Sequence, residues 1–113
     1  MLSKKYHLSK KNDFKRVFKE GKYYRQSFLD LKITENNFEI SRFGFIVSLK
    51  ISKKAVVRNK IRRRLSEIIR LKLPQIKTGF DMVILTQPGI NGKSYKETED
   101  ALTILLKRAN LLK

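Results

Sequence analysis

The hydrophobic positions change period several times along the chain, and each change marks an element. Phe14, Val17 and Phe18 share the i, i+3, i+4 spacing of one helical face. They predict a short helix from Ser9 to Glu20 with Gly21 as its stop. From Ser27 to Thr34 the pattern alternates in part, with Phe28, Leu31 and Ile33 apolar, and Glu35-Asn36-Asn37 reads as a turn. Phe38 to Leu49 resumes a β pattern centred on Phe43, Phe45, Ile46 and Val47. Because that run is apolar on both sides, it is expected to lie centrally in a sheet. Ala55 to about Leu73 returns to the helical period, with Val57, Ile61, Leu65, Ile68 and Ile69 as its stripe and Pro74 as its end. Thr78-Gly79 turns into a short buried strand, Phe80 to Thr86. After the Pro88-Gly89 and Asn91-Gly92 loop, Ser94 and Glu97 have the spacing of a capping box. The last helix then carries the stripe Ala101, Leu102, Leu105, Leu106 and Ala109.

The order helix, strands, helix, strand, helix predicts an α/β (α+β) fold: a mostly antiparallel sheet with helices packed on it. Three strands are legible, and a fourth is expected somewhere in residues 22–50. With 113 residues and no repeats or linkers, residues 1–113 form a single domain, residues 1–8 reading as a flexible basic arm.

Composition changes the picture from a fold to a partner. Lys and Arg number 27 against 10 Asp and Glu, a formal net charge of +17. Self-repulsion of this size destabilises the compact state, and a polyanion is its usual compensation. No run approaches the roughly 20 apolar residues of a membrane span, and the basic N-terminus leads into polar residues rather than an apolar signal region. A cytoplasmic protein with no membrane partner and no small-molecule ligand is the expectation. Cysteine is absent, which removes disulfides and thiolate metal sites.

The charge is concentrated. Between Lys50 and Lys77 there are eleven Lys or Arg residues and one acid, Glu67, which is expected to pair locally. At about 100° per residue, Val57, Ile61, Leu65 and Ile68 point one way while Asn59 and Arg63 point almost opposite. Arg58 with Arg62, and Lys60 with Arg64, form flanking i, i+4 rows. A merely solvated face would mix signs so that ion pairs form, whereas here these neighbours repel. Arginine suits phosphate recognition through its planar fork and its stacking on bases. Catalytic groups are sparse. His7 is the one histidine, expected to be solvated, and Glu97, Glu99 and Asp100 gather where they offset a helix dipole. These features alone fit an RNA-binding subunit, a ribosomal protein or assembly factor, or a DNA-compacting protein.

The segment Ala55-Val56-Val57-Arg58-Asn59-Lys60-Ile61-Arg62-Arg63 closely resembles the arginine-asparagine signature of the bacterial ribonuclease P protein component. Asp13 to Gly21 resembles that family's first helix, Arg42 to Ser48 the strand before the signature, and Phe80 to Leu85 and Ser94 to Thr98 the later strand and final helix. The likeness runs from about Leu8 to Leu112. Departures occur at Leu49, at Ser66 where a further Arg is usual, at Leu31 where an aromatic is common, and at Thr86 and Gln87.

The resemblance implies a two-layer sandwich with a left-handed crossover around the basic helix. It implies a protein that binds a catalytic RNA and helps that RNA remove the 5′ leader from precursor transfer RNA, with the Mg²⁺ ions held by the RNA and no cofactor or catalytic residue in this chain. Arg58, Asn59, Lys60, Arg62, Arg63 and Arg64, with Lys53 and Lys54 before them, would contact the catalytic RNA. Phe14, Lys15, Phe18, Leu31 and Lys50 would line the cleft for the leader. Aromatic rings suit that task because they stack on single-stranded bases whatever the sequence. For Phe14 and Phe18, core packing remains the alternative. Tyr23 and Tyr24 would either extend the stacking surface or form an exposed loop pair. Gly44 is expected to permit close packing.

Overall fold

The computed structural model describes residues 2–113. Helix α1 (Lys11–Glu20) is followed by β1 (Lys22–Gln26), β2 (Leu29–Glu35) and β3 (Arg42–Ile46), then α2 (Ala55–Lys72), β4 (Phe80–Thr86) and α3 (Tyr95–Arg108). The sheet order is β1-β2-β4-β3. β1/β2 and β2/β4 are antiparallel, and β3/β4 are parallel and joined across α2.

The alternation of β2 and β4 divides the sheet into two unlike faces. Leu31 pairs with Ile84 and Ile33 with Met82, and these join Phe43, the α2 stripe and the α3 stripe in the main core. That pairing of one sheet with two helices is the principal layer contact. The opposite face carries Asp81, Val83 and Leu85 of β4 and is covered in part by α1, whose Val17 is buried with Val83 and Leu8. The capping box holds: Glu97 N donates to Ser94 Oγ and Ser94 N to Glu97 Oε1, both at 3.1 Å.

The expected fourth strand is present, and three expectations are corrected. It is β1, within residues 22–50, whose sequence Lys-Tyr-Tyr-Arg-Gln shows no apolar run because none of its residues is buried. Ser27 and Phe28 are not strand residues but the two-residue connection of the β1/β2 hairpin, with Ser27 at φ 55°. β3 is an edge strand, not a central one. Its apolar pattern arises because both faces are covered and its outer edge meets the N-terminal segment, where Leu8 N donates to Phe43 O at 2.8 Å. Residues 2–8 are therefore packed against the domain, with Leu2 and Leu8 buried. Gly21 does follow the last turn of α1, but its φ of −75° is ordinary. Glycine is required there because a Cβ would collide with the carbonyl oxygens of Val17 and Ile33.

Candidate nucleic-acid interface

The basic helix α2 is anchored by Ile61, Leu65, Ile68 and Ile69, all buried. Its remaining sides carry the cations. Lys53, Lys54, Asn59, Lys60 and Arg63 are exposed, while Arg58, Arg62 and Arg64 are half-buried. These three arginines are steered by neutral acceptors: Arg58 Nη1 donates to Ser52 O at 2.8 Å, Arg62 Nη1 to Asn59 Oδ1 at 2.5 Å, and Arg64 Nη1 to Lys93 O at 2.8 Å. Neutral acceptors hold the side chains in place without cancelling their charge. Glu67, the one acid of α2, bonds to Arg70 two turns below the signature, at 2.5 Å, and that bond holds its carboxyl below the usual range. Among the described residues no carboxylate pairs with Lys53, Lys54, Arg58, Lys60, Arg62, Arg63 or Arg64.

The two buried acids, Asp81 and Asp30, are engaged elsewhere. Asp81 is fully buried and accepts from Arg16, from Arg42 Nε and Nη2 at 2.9 and 2.7 Å, and from Asn36 Nδ2 at 2.9 Å. Arg42 also reaches Asp13 at 3.4 Å, so the cluster ties α1 to β3, β4 and the Asn36 turn. Asp30 accepts from Arg25 Nε at 2.8 Å and Gln87 Nε2 at 2.6 Å. Burial pushes its carboxyl up, but the hydrogen bonds from Arg25, Gln87 and Tyr23, with the charge of Arg25, outweigh this and hold it below the usual range.

On α1 the two phenylalanines separate. Val17 takes the core position, at 0% exposure, and Phe18 turns outward at 37%. Lys32 Nζ lies 5.5 Å from the Phe18 ring centroid and donates to Phe18 O at 3.0 Å. Tyr23 pairs with Lys32 across β1/β2 and is 51% exposed, so it shares that face. Tyr24 pairs with Leu31 and turns to the core side. Phe14 is half-buried, its ring lying across Gly44. Lys15 and Lys50 are exposed.

Leu31 does not line this groove. It is completely buried on the other face, and its neighbour Lys32 occupies the groove side. A strand displays alternate residues to opposite faces, so a one-residue error in alignment exchanges core for cleft. Sequence reasoning also missed the placement of His7, which is half-buried and whose Nε2 lies 3.1 Å from Leu2 O. His7, Phe14, Asn59, Arg62 and Arg63 border one cavity along the outer edge of β3. The structure thus brings Phe14 from the expected leader cleft together with three residues of the signature, while Phe18 stands with Lys32 and Tyr23 farther along α1.

A family model described as Ribonuclease P matches residues 2–110. The ribonuclease P protein component of Clostridium botulinum (strain 657 / Type Ba4) is 39% identical over 105 residues, covering 92% of this chain and 94% of that protein. That of Clostridium novyi is 38% identical over 112 residues, covering 97% and 98%. Among solved structures, the RNase P protein from Thermotoga maritima superposes with a TM-score of 0.83 at 31% identity, covering 90% of this chain and 96% of that one. A Staphylococcus aureus RNase P protein mutant superposes with a TM-score of 0.89 at 26% identity, covering 96% and 91%.

Proposed function

The chain belongs to the ribonuclease P protein family, and from that premise we propose that α2 grips the catalytic RNA while the Phe18 side of the α1 groove receives the 5′ leader of precursor transfer RNA. As a ribonuclease P protein component it is a subunit of the ribonucleoprotein endoribonuclease that processes the tRNA 5′ end, and ribonuclease P RNA is its partner. The observation that carries the division of surfaces is the pairing of buried Val17 with exposed Phe18. A core residue already fills the inward position, so the outward ring stays out of the core and partly open beside Lys32. Lys32 and Tyr23 beside it supply a cation for the backbone and a second ring, the combination with which proteins hold single strands without regard to sequence.

The signature helix fits the other partner. Lys53, Lys54, Arg58, Asn59, Lys60, Arg62, Arg63 and Arg64 form one continuous cationic face, and pairing with phosphates relieves its internal repulsion. Mg²⁺ chemistry is assigned to the RNA, and the protein's share is to position the substrate. The assembly would act in the cytoplasm. Among the described residues no helix is long and apolar enough to cross a membrane.

Reconstitution tests the reading. The purified protein should leave precursor transfer RNA intact with or without Mg²⁺, and adding ribonuclease P RNA should produce cleavage at the mature 5′ end at Mg²⁺ levels where that RNA alone is slow. Cleavage by protein alone that disappears on substitution of one of its acids would overturn it.

A further inference from the structure

Helix α1 has little of its own to hold it in place. Its ten residues fall below the roughly 12–15 at which an isolated helix becomes even marginally stable in water. Lys10 stands at its N-cap, where a lysine has no acceptor to offer the free amides. Of its described residues only Val17 is buried. One inward side chain fixes a helix to a sheet but leaves it free to turn about its own axis. At about 100° per residue, Asp13 and Arg16 fall on one side of Val17, and Phe14 and Phe18 on the other. The ring of Phe14, laid across Gly44, is a steric stop and opposes rotation in one direction. Lys32 bonds the Phe18 carbonyl, close to the axis, where it opposes rotation weakly.

The other direction is governed by the charged flank. On the sheet, Asp81 at 0% exposure is matched by Arg42, which donates to it from both Nε and Nη2. That pair is neutral without α1. The helix adds one charge of each sign: Arg16 bonds Asp81, and Asp13 meets Arg42 at 3.4 Å. The net charge of the cluster stays at zero, so what α1 gains is two tethers rather than a neutralised charge. Arg16 also spends its Nη1 on Glu35 O at 2.9 Å, so its planar fork bridges β4 and the end of β2. A fork held at both prongs resists rotation better than a single bond does.

We infer that Arg16 and Asp81 are positioning residues for the substrate: their bond sets the rotation of α1 about its axis, and with it the direction in which Phe18 faces the leader. The inference rests on the reading of Phe18 as a leader contact. Asp81 is sealed from solvent and touches no RNA, so its part in substrate choice passes through α1.

The chain contains no tryptophan, so Phe18→Trp supplies a single fluorescent reporter at the position in question. Adding Arg16→Ala to it should lower the anisotropy of the indole in the folded protein, because the ring then samples more than one orientation. Unchanged anisotropy, with folding confirmed by circular dichroism, would overturn the inference. Holoenzymes carrying Arg16→Ala, Asp81→Asn, Phe18→Ala or Arg16→Ala with Phe18→Ala are then titrated with precursor and with mature transfer RNA, well below each variant's melting temperature. Phe18→Ala should reduce precursor affinity roughly 5- to 150-fold, the range of one lost base–aromatic stack. Arg16→Ala and Asp81→Asn should each reduce it by no more than that and leave binding of mature transfer RNA unchanged. In the Phe18→Ala background Arg16→Ala should cause no further loss, since the ring it positions is gone. A merely structural role would lower the melting temperature without moving the ratio of the two affinities, and that result would overturn the inference. So would additive losses, or a salt slope flattened by about 0.7, which would make Arg16 a direct phosphate contact. Should Asp81→Asn fail to fold, Arg16→Ala carries the test, because Arg42 and Asn36 still satisfy Asp81. If Phe18→Ala itself leaves the ratio unchanged, the leader reading fails and the substrate role of Arg16 fails with it, while the anisotropy still decides whether Arg16 sets the rotation of α1.

Discussion

Phe14 lies so closely across Gly44 that a Cβ on Gly44 would stand 2.6 Å from two atoms of the ring. The contact fixes the height of α1 above the sheet and hence the depth of the groove. Gly44→Ala should therefore lower stability by about 1–3 kcal/mol, the usual effect of overpacking, as read by urea unfolding. Phe14→Leu in the same chain should recover part of that loss, because it removes the ring atoms that collide. A double-mutant cycle measures the coupling, and strictly additive effects would show that the contact does not set the spacing.

Asp30 makes stability depend on pH in a stated direction. Its folded carboxyl is held below the usual range by hydrogen bonds from Arg25, Gln87 and Tyr23 that overcome its burial. A depressed carboxylate contributes stability that is present above its unfolded pKa and is lost as pH falls through the folded one. Wild type should therefore lose stability more steeply than Asp30→Asn from about pH 4 downward. Parallel curves for the two proteins over that window would remove Asp30 as a cause.

Arg63 is exposed, without a carboxylate partner among the described residues, and off the apolar stripe. Arg63→Ala should leave the fold intact and weaken binding to ribonuclease P RNA. Loss of one phosphate contact should also flatten the slope of log affinity against log salt by about 0.7–0.9. Titrations at several salt concentrations check both, with circular dichroism to confirm folding.

These residues also show what sequence could and could not convey. The α2 and α3 stripes were legible because a helix repeats its buried face every three or four residues, and Ile61, Leu65, Leu102 and Leu106 obey that period. The charge of α2 was legible for the same reason. β1 was not, since Lys22–Gln26 owes its strand conformation to pairing with β2 rather than to apolar alternation. The double-sided apolar run of β3 could equally mean a central strand or an edge strand covered by other segments. Only the docking of His7 and Leu8 on Phe43, contacts between distant parts of the chain, decides it. The exchange of Leu31 for Lys32 shows how narrow the margin is in a strand, and the cavity bordered by Phe14 and Arg63 forms only where α1, α2 and β3 meet. The arginine-asparagine signature was recognisable as a motif, but its nearness to Phe14 was not.

The most direct measurement concerns Phe18. Phe18→Ala should lower folding stability by only about 1–2 kcal/mol, for a partly covered ring with the Lys32 contact, against about 3–5 kcal/mol for a core phenylalanine. Holoenzyme carrying it should bind precursor transfer RNA more weakly by roughly 1–3 kcal/mol and bind mature transfer RNA, which has no leader, as the wild type does. An equal change in both affinities, or a large fall in melting temperature without selective loss of precursor binding, would contradict the account and return Phe18 to a structural role.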